Sequence, residues 1–167
     1  MKKVVAMRDK GAVQFEEVGV AFLCEQAFSS FPDVAREAVS ALRCVAVNAA
    51  AEEAEDAVIA LKLVAVNAIL AMAEVVVAEL REVAITKIIN QGVARAAIFA
   101  LCYLAINEKS LSAVSALKDV AVNENINEFV ALAAGAVLMD VAVNRRTIPG
   151  VSGAATSALK SLVENKN

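Results

Sequence analysis

An all-α fold, built as two layers of short helices folded back on one another, follows from three features of the sequence. An octamer of the form A-L-x-x-V-A-V-N recurs seven times: ALRCVAVN (41–48), ALKLVAVN (60–67), ELREVAIT (79–86), ALCYLAIN (100–107), ALKDVAVN (116–123), VLMDVAVN (137–144) and ALKSLVEN (158–165). Glycine and proline are scarce, 6 and 2 of 167 residues, while Ala, Leu, Val and Glu abound with apolar residues at helical spacing. The copies start at 41, 60, 79, 100, 116, 137 and 158, one helix and a turn apart. A single rod from Pro32 to Asn90 is excluded by geometry. At about 100° per residue, a 19-residue step is about five turns plus 100°, so the shared apolar stripe would point in a new direction at each copy. Short helices that reverse after each octamer bury the stripe instead, and the closing Asn suits a helix end because it tolerates the left-handed conformation.

Eight helices follow in order, in a single domain covering 1–167. Residues 1–31 form an N-terminal cap region and 32–167 the helical repeats. The first helix, 13–29, lacks an octamer and carries the aromatic residues Phe15, Phe22 and Phe28, with Phe31 just beyond, as a terminal unit closing an array does. Ser29, Ser30 and Pro32 open the second, 33–48. The third, 52–67, begins with Glu52, Glu53, Glu55 and Asp56, carboxylates favoured by the positive end of a helix dipole, which explains them without a metal ion. The fourth spans 70–86. Asn90, Gln91 and Gly92 precede the fifth, 93–107, and Ser110 opens the sixth, 110–123. The seventh spans 127–144, and Pro149, Gly150 and Gly153 separate it from the eighth, 153–165.

The third and fourth octamer positions alternate. Copies at 41, 79, 116 and 158 carry Arg43, Arg81, Lys118 and Lys160 at the third; the intervening copies carry Lys62 and Leu63, Cys102 and Tyr103, and Met139 and Asp140. The structural unit is thus a helix pair of about 40 residues. With that period, ALRCVAVNAA, ALCYLAINEKS and above all ALKDVAVNENINEFV resemble the last helix of an armadillo repeat running into the next unit, over 38–165. The resemblance implies a right-handed α-α superhelix of the HEAT/armadillo kind. The asparagine with which armadillo domains clamp extended peptides is missing: its place holds Cys44, Leu63, Glu82, Tyr103, Asp119, Asp140 and Ser161. A two-helix, HEAT-like unit is the closer description, because an armadillo unit's short extra helix has no room.

Composition narrows the function. An apolar fraction of 59% and a mean hydropathy of +0.63 raise the question of a membrane, but the longest charge-free stretches, such as 96–107 and 63–73, fall short of the roughly 18 residues a span needs. MKKVVAMRDK meets Arg8, Asp9 and Lys10 too early for a signal peptide. A net charge of −3 with interspersed signs argues against nucleic acid. Cys24, Cys44 and Cys102, odd in number and in apolar contexts, read as buried reduced thiols of a cytoplasmic protein. There is no histidine, no phosphate-binding glycine loop and no electropositive cysteine, so neither catalytic residue, metal nor cofactor is expected.

What the sequence does offer is surface. Segments 93–107 and 128–144 are apolar nearly all round, which a half-exposed layer should not be. Either flanking helices or a partner must cover them, and Phe99, Tyr103, Met139 and Val143 are the anchors expected on an association surface, with Ala96, Ala97, Ala134 and Gly135 permitting close approach. Arg43, Arg81, Lys118 and Lys160 form a weaker candidate, a basic row for an acidic partner segment, if they are not simply solvated charge. Asn48, Asn67, Asn107, Asn123 and Asn144 read as caps rather than as a ladder of amides. The expected function is a protein-interaction or scaffolding module that self-associates. The alternative from the same resemblance is a HEAT-like small-molecule site or enzyme, as in bilin lyases or alkylated-DNA glycosylases.

Overall fold

A computed structural model describes residues 19–68, 70–86 and 90–164. They form eight helices and no strand: α1 (Val20–Ala27), α2 (Pro32–Asn48), α3 (Ala51–Asn67), α4 (Leu70–Ile85), α5 (Gln91–Asn107), α6 (Leu111–Val122), α7 (Glu128–Val143) and α8 (Pro149–Glu164). Phe15 and the closing Asn165 of the seventh octamer lie outside the described residues.

Two expected boundaries are corrected. α1 begins at Val20, after Gly19 with its extended backbone (φ −60°, ψ 149°), and ends at Ala27 rather than 29; the 13–18 part of the expected first helix lies outside the described residues. The eighth starts at Pro149 rather than 153. Proline lacks only an amide hydrogen that a first turn leaves unpaired anyway, and burying Val151 and Ala155 outweighs the cost of about 1 kcal/mol for each helical glycine.

The octamer explains the core. Its second position is Leu42, Leu61, Leu80, Leu101, Leu117 and Leu138 in α2 to α7, and every one of these is 0% exposed. Each such burial stabilises the fold by roughly 1.5–3 kcal/mol before chain entropy is counted. The neighbouring first, fifth and sixth positions are mostly Ala and Val, small enough to let helices approach closely. Buried side chains from Leu23 to Ala158 make one continuous cluster, with no buried polar residue among those described.

The principal helix contacts join each helix to the next in sequence and to the next but one. α1, α3, α5 and α7 therefore touch in series, and so do α2, α4, α6 and α8. α2 and α3, 17 residues each, are joined by only Ala49 and Ala50 and still pack together, so the chain reverses between them.

The asparagines do cap, but not by a left-handed backbone. Asn48, Asn67 and Asn107 end their helices, and each Nδ2 donates back to the carbonyl four residues earlier, of Cys44, Leu63 and Tyr103. Thr86, the exception in the repeat, does the same with its hydroxyl to Glu82. Asn123 and Asn144 instead accept from the amides of Asn125 and Arg146, starting a turn into the next helix. The left-handed residue among those described is Lys109 (φ 56°), which turns the chain so that Ser110 N donates back to the Leu104 carbonyl, already accepting from Glu108 N. Lys109→Gly removes the Cβ strain and is expected to stabilise the chain by about 0.5–1 kcal/mol, read as a rise in melting temperature of about 1–3 °C.

Candidate functional site

The apolar anchors do not converge on a pocket; they lie on the outer surface of the odd-numbered helices. Phe99 and Tyr103 of α5 are 57% and 40% exposed, and Met139 and Val143 of α7 are 54% and 78% exposed. The described residues of the fold thus leave these two helices uncovered, and their all-round apolar character is explained: one stripe packs inward while the opposite one meets solvent.

Helical geometry keeps the two stripes apart. In α5 the buried set includes Ala97, Leu101 and Leu104, while Arg95, Phe99 and Tyr103 fall on the opposite side at intervals of four. The same positions of α3 hold Glu55, Ile59 and Leu63, all exposed, with Ile59 and Leu63 forming the same apolar pair as Phe99 and Tyr103. Ile59 and Leu63 escaped the sequence reading, although their octamer positions match those of Phe99 and Tyr103 and would have found them. The Lys62 ammonium sits 5.1 Å from the centre of the Tyr103 ring, tying α3 to α5 across this surface. Glu55 reaches the amino end of α5, where a methyl group on Gly92 would stand 2.9 Å from its carboxylate oxygen. On α7 the stripe shifts by a few positions: Ala136 and Asp140 occupy the places of Phe99 and Tyr103, and Phe129, Leu132, Met139 and Val143 carry the exposed apolar area.

The even-numbered helices offer a different surface. Arg43 of α2 pairs with Glu79 of α4 at 2.7 Å. Arg81 of α4 reaches Asp119 of α6 at 2.9 Å and its neighbour Glu82 at 2.7 Å. Two of the four cations of the predicted basic row are thereby spent joining one even helix to the next, and the positive field expected from them is locally cancelled. Lys118 is half-buried beside Ser115, Ser157 and Ser161 in a shallow groove of about 280 Å³, and Lys160 is exposed. Burial pushes the Glu79 carboxyl up from its ordinary range, and Arg43 pulls it partly back. The hydrogen bond to Glu82, and then that to Asp119, hold the Arg81 guanidinium above its usual value against partial burial. Arg81 Nε is buried without a hydrogen-bond partner among the described residues, and we have no physical account of it.

The three thiols are free, but the expectation that they are buried is corrected. Cys44 is exposed and Cys102 half-buried, because the third and fourth octamer positions face away from the leucine stripe, and Cys24 of α1 is half-buried too. Burial, then Glu25, pushes the Cys24 thiol up; burial, then Asp140, does the same at Cys102. Both are less reactive than an ordinary cysteine. Glu52 and Glu53 occupy the first turn of α3 as helix-dipole partners. Among the described residues no group of three acidic or cysteine side chains is arranged to hold a metal ion, and no helix is long and apolar enough to cross a membrane. No protein-family model matches the sequence, and no curated protein matches it.

Proposed function

We propose that this chain is an α-α superhelix of the HEAT and armadillo kind, working as a protein-interaction module whose odd-helix surface takes a second copy of the chain. The 40-residue pairing of the octamers and the serial contacts within the odd and within the even helices support that architecture. One observation carries the function. Large exposed apolar side chains gather on α3, α5 and α7, with Ile59 and Leu63 repeated as Phe99 and Tyr103, while α2, α4 and α6 are joined across their surface by ion pairs and, among the described residues, expose large apolar side chains only near helix ends, at Val34, Leu111 and Val122. Contiguous apolar surface of this kind marks association.

Charge complementarity selects a second copy as the occupant. Glu55 and Arg95 stand at the same position of α3 and α5, and neither has an ion-pair partner among the described residues. A two-fold axis parallel to these helices and midway between them sets Arg95 of each copy over Glu55 of the other. The same operation sets Phe99 over Ile59 and Tyr103 over Leu63, so aromatic anchors meet aliphatic partners inside a charged rim. Affinity then comes from desolvating the anchors, with the ion pairs fixing register.

Sedimentation equilibrium over a concentration series tests this. The wild-type chain is expected to self-associate, and the double variant Phe99→Glu, Tyr103→Glu to weaken this lateral contact at least about 100-fold, a loss of about 2.7 kcal/mol. Both side chains are exposed, so the melting temperature of the monomer should move by no more than about 2 °C. A wild type that stays monomeric throughout overturns the proposal.

A further inference from the structure

The forward side of the last helix pair is open where the same side of the preceding pair is closed. Helical geometry divides the inward residues of α5 into Ala94, Ile98 and Ala105 on one side and Val93, Ala97 and Leu104 on the other, and all six are buried. The octamer register places Val130, Ala134 and Val141 of α7 at the positions of the second group, and these remain buried. Ala131, Gly135 and Ala142 take the positions of the first group, and they are only half-buried, with Met139 exposed beside them. α8 repeats the pattern at Thr156, which takes a first-group position and is exposed where its counterpart in α6, Val114, is buried; Leu159 beside it is half-buried where Leu117 is fully buried. α5 and α6 are covered by α7 and α8; the described residues hold no helix after α8. The side that opens is therefore the one that a following helix pair covers one repeat earlier. A groove of about 430 Å³ runs along it, lined by Ala131, Gly135, Met139, Leu159 and Leu162 among others.

The opposite end of the array shows the converse. Val34 of α2 is 36% exposed, whereas the residues at its position in α4 and α8, Met72 and Val151, are 9% and 0% exposed. The exposed Phe28 and Phe31 stand near it in the chain. α7 and α8 thus present an apolar groove that holds the small Ala131 and Gly135, and α1 and α2 present the large exposed side chains Phe28, Phe31 and Val34.

We infer that copies of this chain stack end to end, with α1 and α2 of one copy seated on the forward side of α7 and α8 of the next. The inference rests on the reading that the chain self-associates, but it uses a different surface. The repeat itself says what belongs on the open face. One unit earlier the same positions are covered by a helix pair of this sequence, and α1 and α2 of a second copy offer such a pair, with Val34 of α2 left exposed by the described residues. A head-to-tail contact of this type does not close on itself, so it yields a growing series rather than a single dimer. Stacking in this way would also extend the odd-helix stripe from one copy to the next.

The test is run in the Phe99→Glu, Tyr103→Glu background, which silences the lateral surface. That parent is expected to sediment as a series that grows with concentration and has no plateau at dimer. Adding Gly135→Arg blocks the groove without burdening the fold, since a side chain there meets open space; adding Phe31→Glu instead blocks the other end. Each blocked chain alone should be monomeric. An equimolar mixture should form a one-to-one complex, because the Phe31→Glu chain keeps an intact groove and the Gly135→Arg chain an intact N-terminal end. Circular dichroism confirms that each variant retains its helix. A mixture that remains monomeric, or a Phe31→Glu chain that pairs with itself groove to groove, overturns the inference. A parent that is monomeric while the wild type dimerises sinks the inference and leaves the lateral reading standing. A parent that associates as the wild type does sinks the lateral reading and leaves the stacking.

Discussion

Leu101→Ala lowers the unfolding free energy by about 3–4 kcal/mol, the largest loss expected from truncating any single side chain of the repeat. Leu101 is 0% exposed and belongs to α5, which touches α3, α4, α6 and α7. The cost combines lost burial with a cavity that four surrounding helices cannot collapse without disturbing their own contacts. Thermal melting should fall by about 6–15 °C. The comparison that gives the number meaning is Leu159→Ala, the same octamer position in α8. Leu159 is only half-buried, so its truncation should cost about 1 kcal/mol. Equal losses at the two positions would contradict the described packing, which sets Leu101 among four neighbouring helices and leaves Leu159 half-buried.

Ala97→Asp is expected to cost about 4 kcal/mol or more at neutral pH and to leave little folded protein. Ala97 is fully buried, as are its counterparts Ala57 of α3 and Ala134 of α7, and no cation lies among the described buried residues to receive a carboxylate. An ionised group placed there loses hydration with no return, so it titrates with a raised pKa in the folded state. The sign of the pH effect follows. A carboxyl whose folded pKa is raised binds its proton more tightly in the folded chain. The penalty is therefore smallest below the unfolded value of about 3.9 and grows as pH rises above it. Chemical unfolding at pH 4 and pH 8 reads this directly, and the variant should lose more relative to wild type at pH 8. A penalty under about 1 kcal/mol at pH 8 would mean that α5 does not pack as described.

Most helices were legible in the sequence because the octamer writes inward positions and a terminator together. Leu61 fixes where α3 is buried, and Asn67 where it stops. The boundaries that escaped were those where a rule about single residues met a tertiary gain. Gly150 and Gly153 read as breakers, yet the burial of Val151 and Ala155 draws them into α8. The role of the asparagines was visible, but its mechanism was not. Asn48 closes its helix by bonding backward, whereas Asn123, the same octamer residue, opens a turn into the next helix. The anchors Phe99 and Tyr103 were legible from an apolar excess that the core does not need. The fate of the basic row was not, since Arg81 finds Asp119 only because α4 and α6 lie side by side, 38 residues apart in sequence.

The odd-helix surface is the claim on which the functional account depends, and photo-crosslinking reads it most directly. With p-benzoylphenylalanine installed at position 99 on α5, and separately in place of the exposed Ala78 on α4, each chain is irradiated at a concentration where the wild type self-associates. The account predicts covalent dimers from position 99, joined to peptides of α3 in the second copy, and none from position 78. Dimers formed equally from both positions, or from position 78 alone, would contradict it.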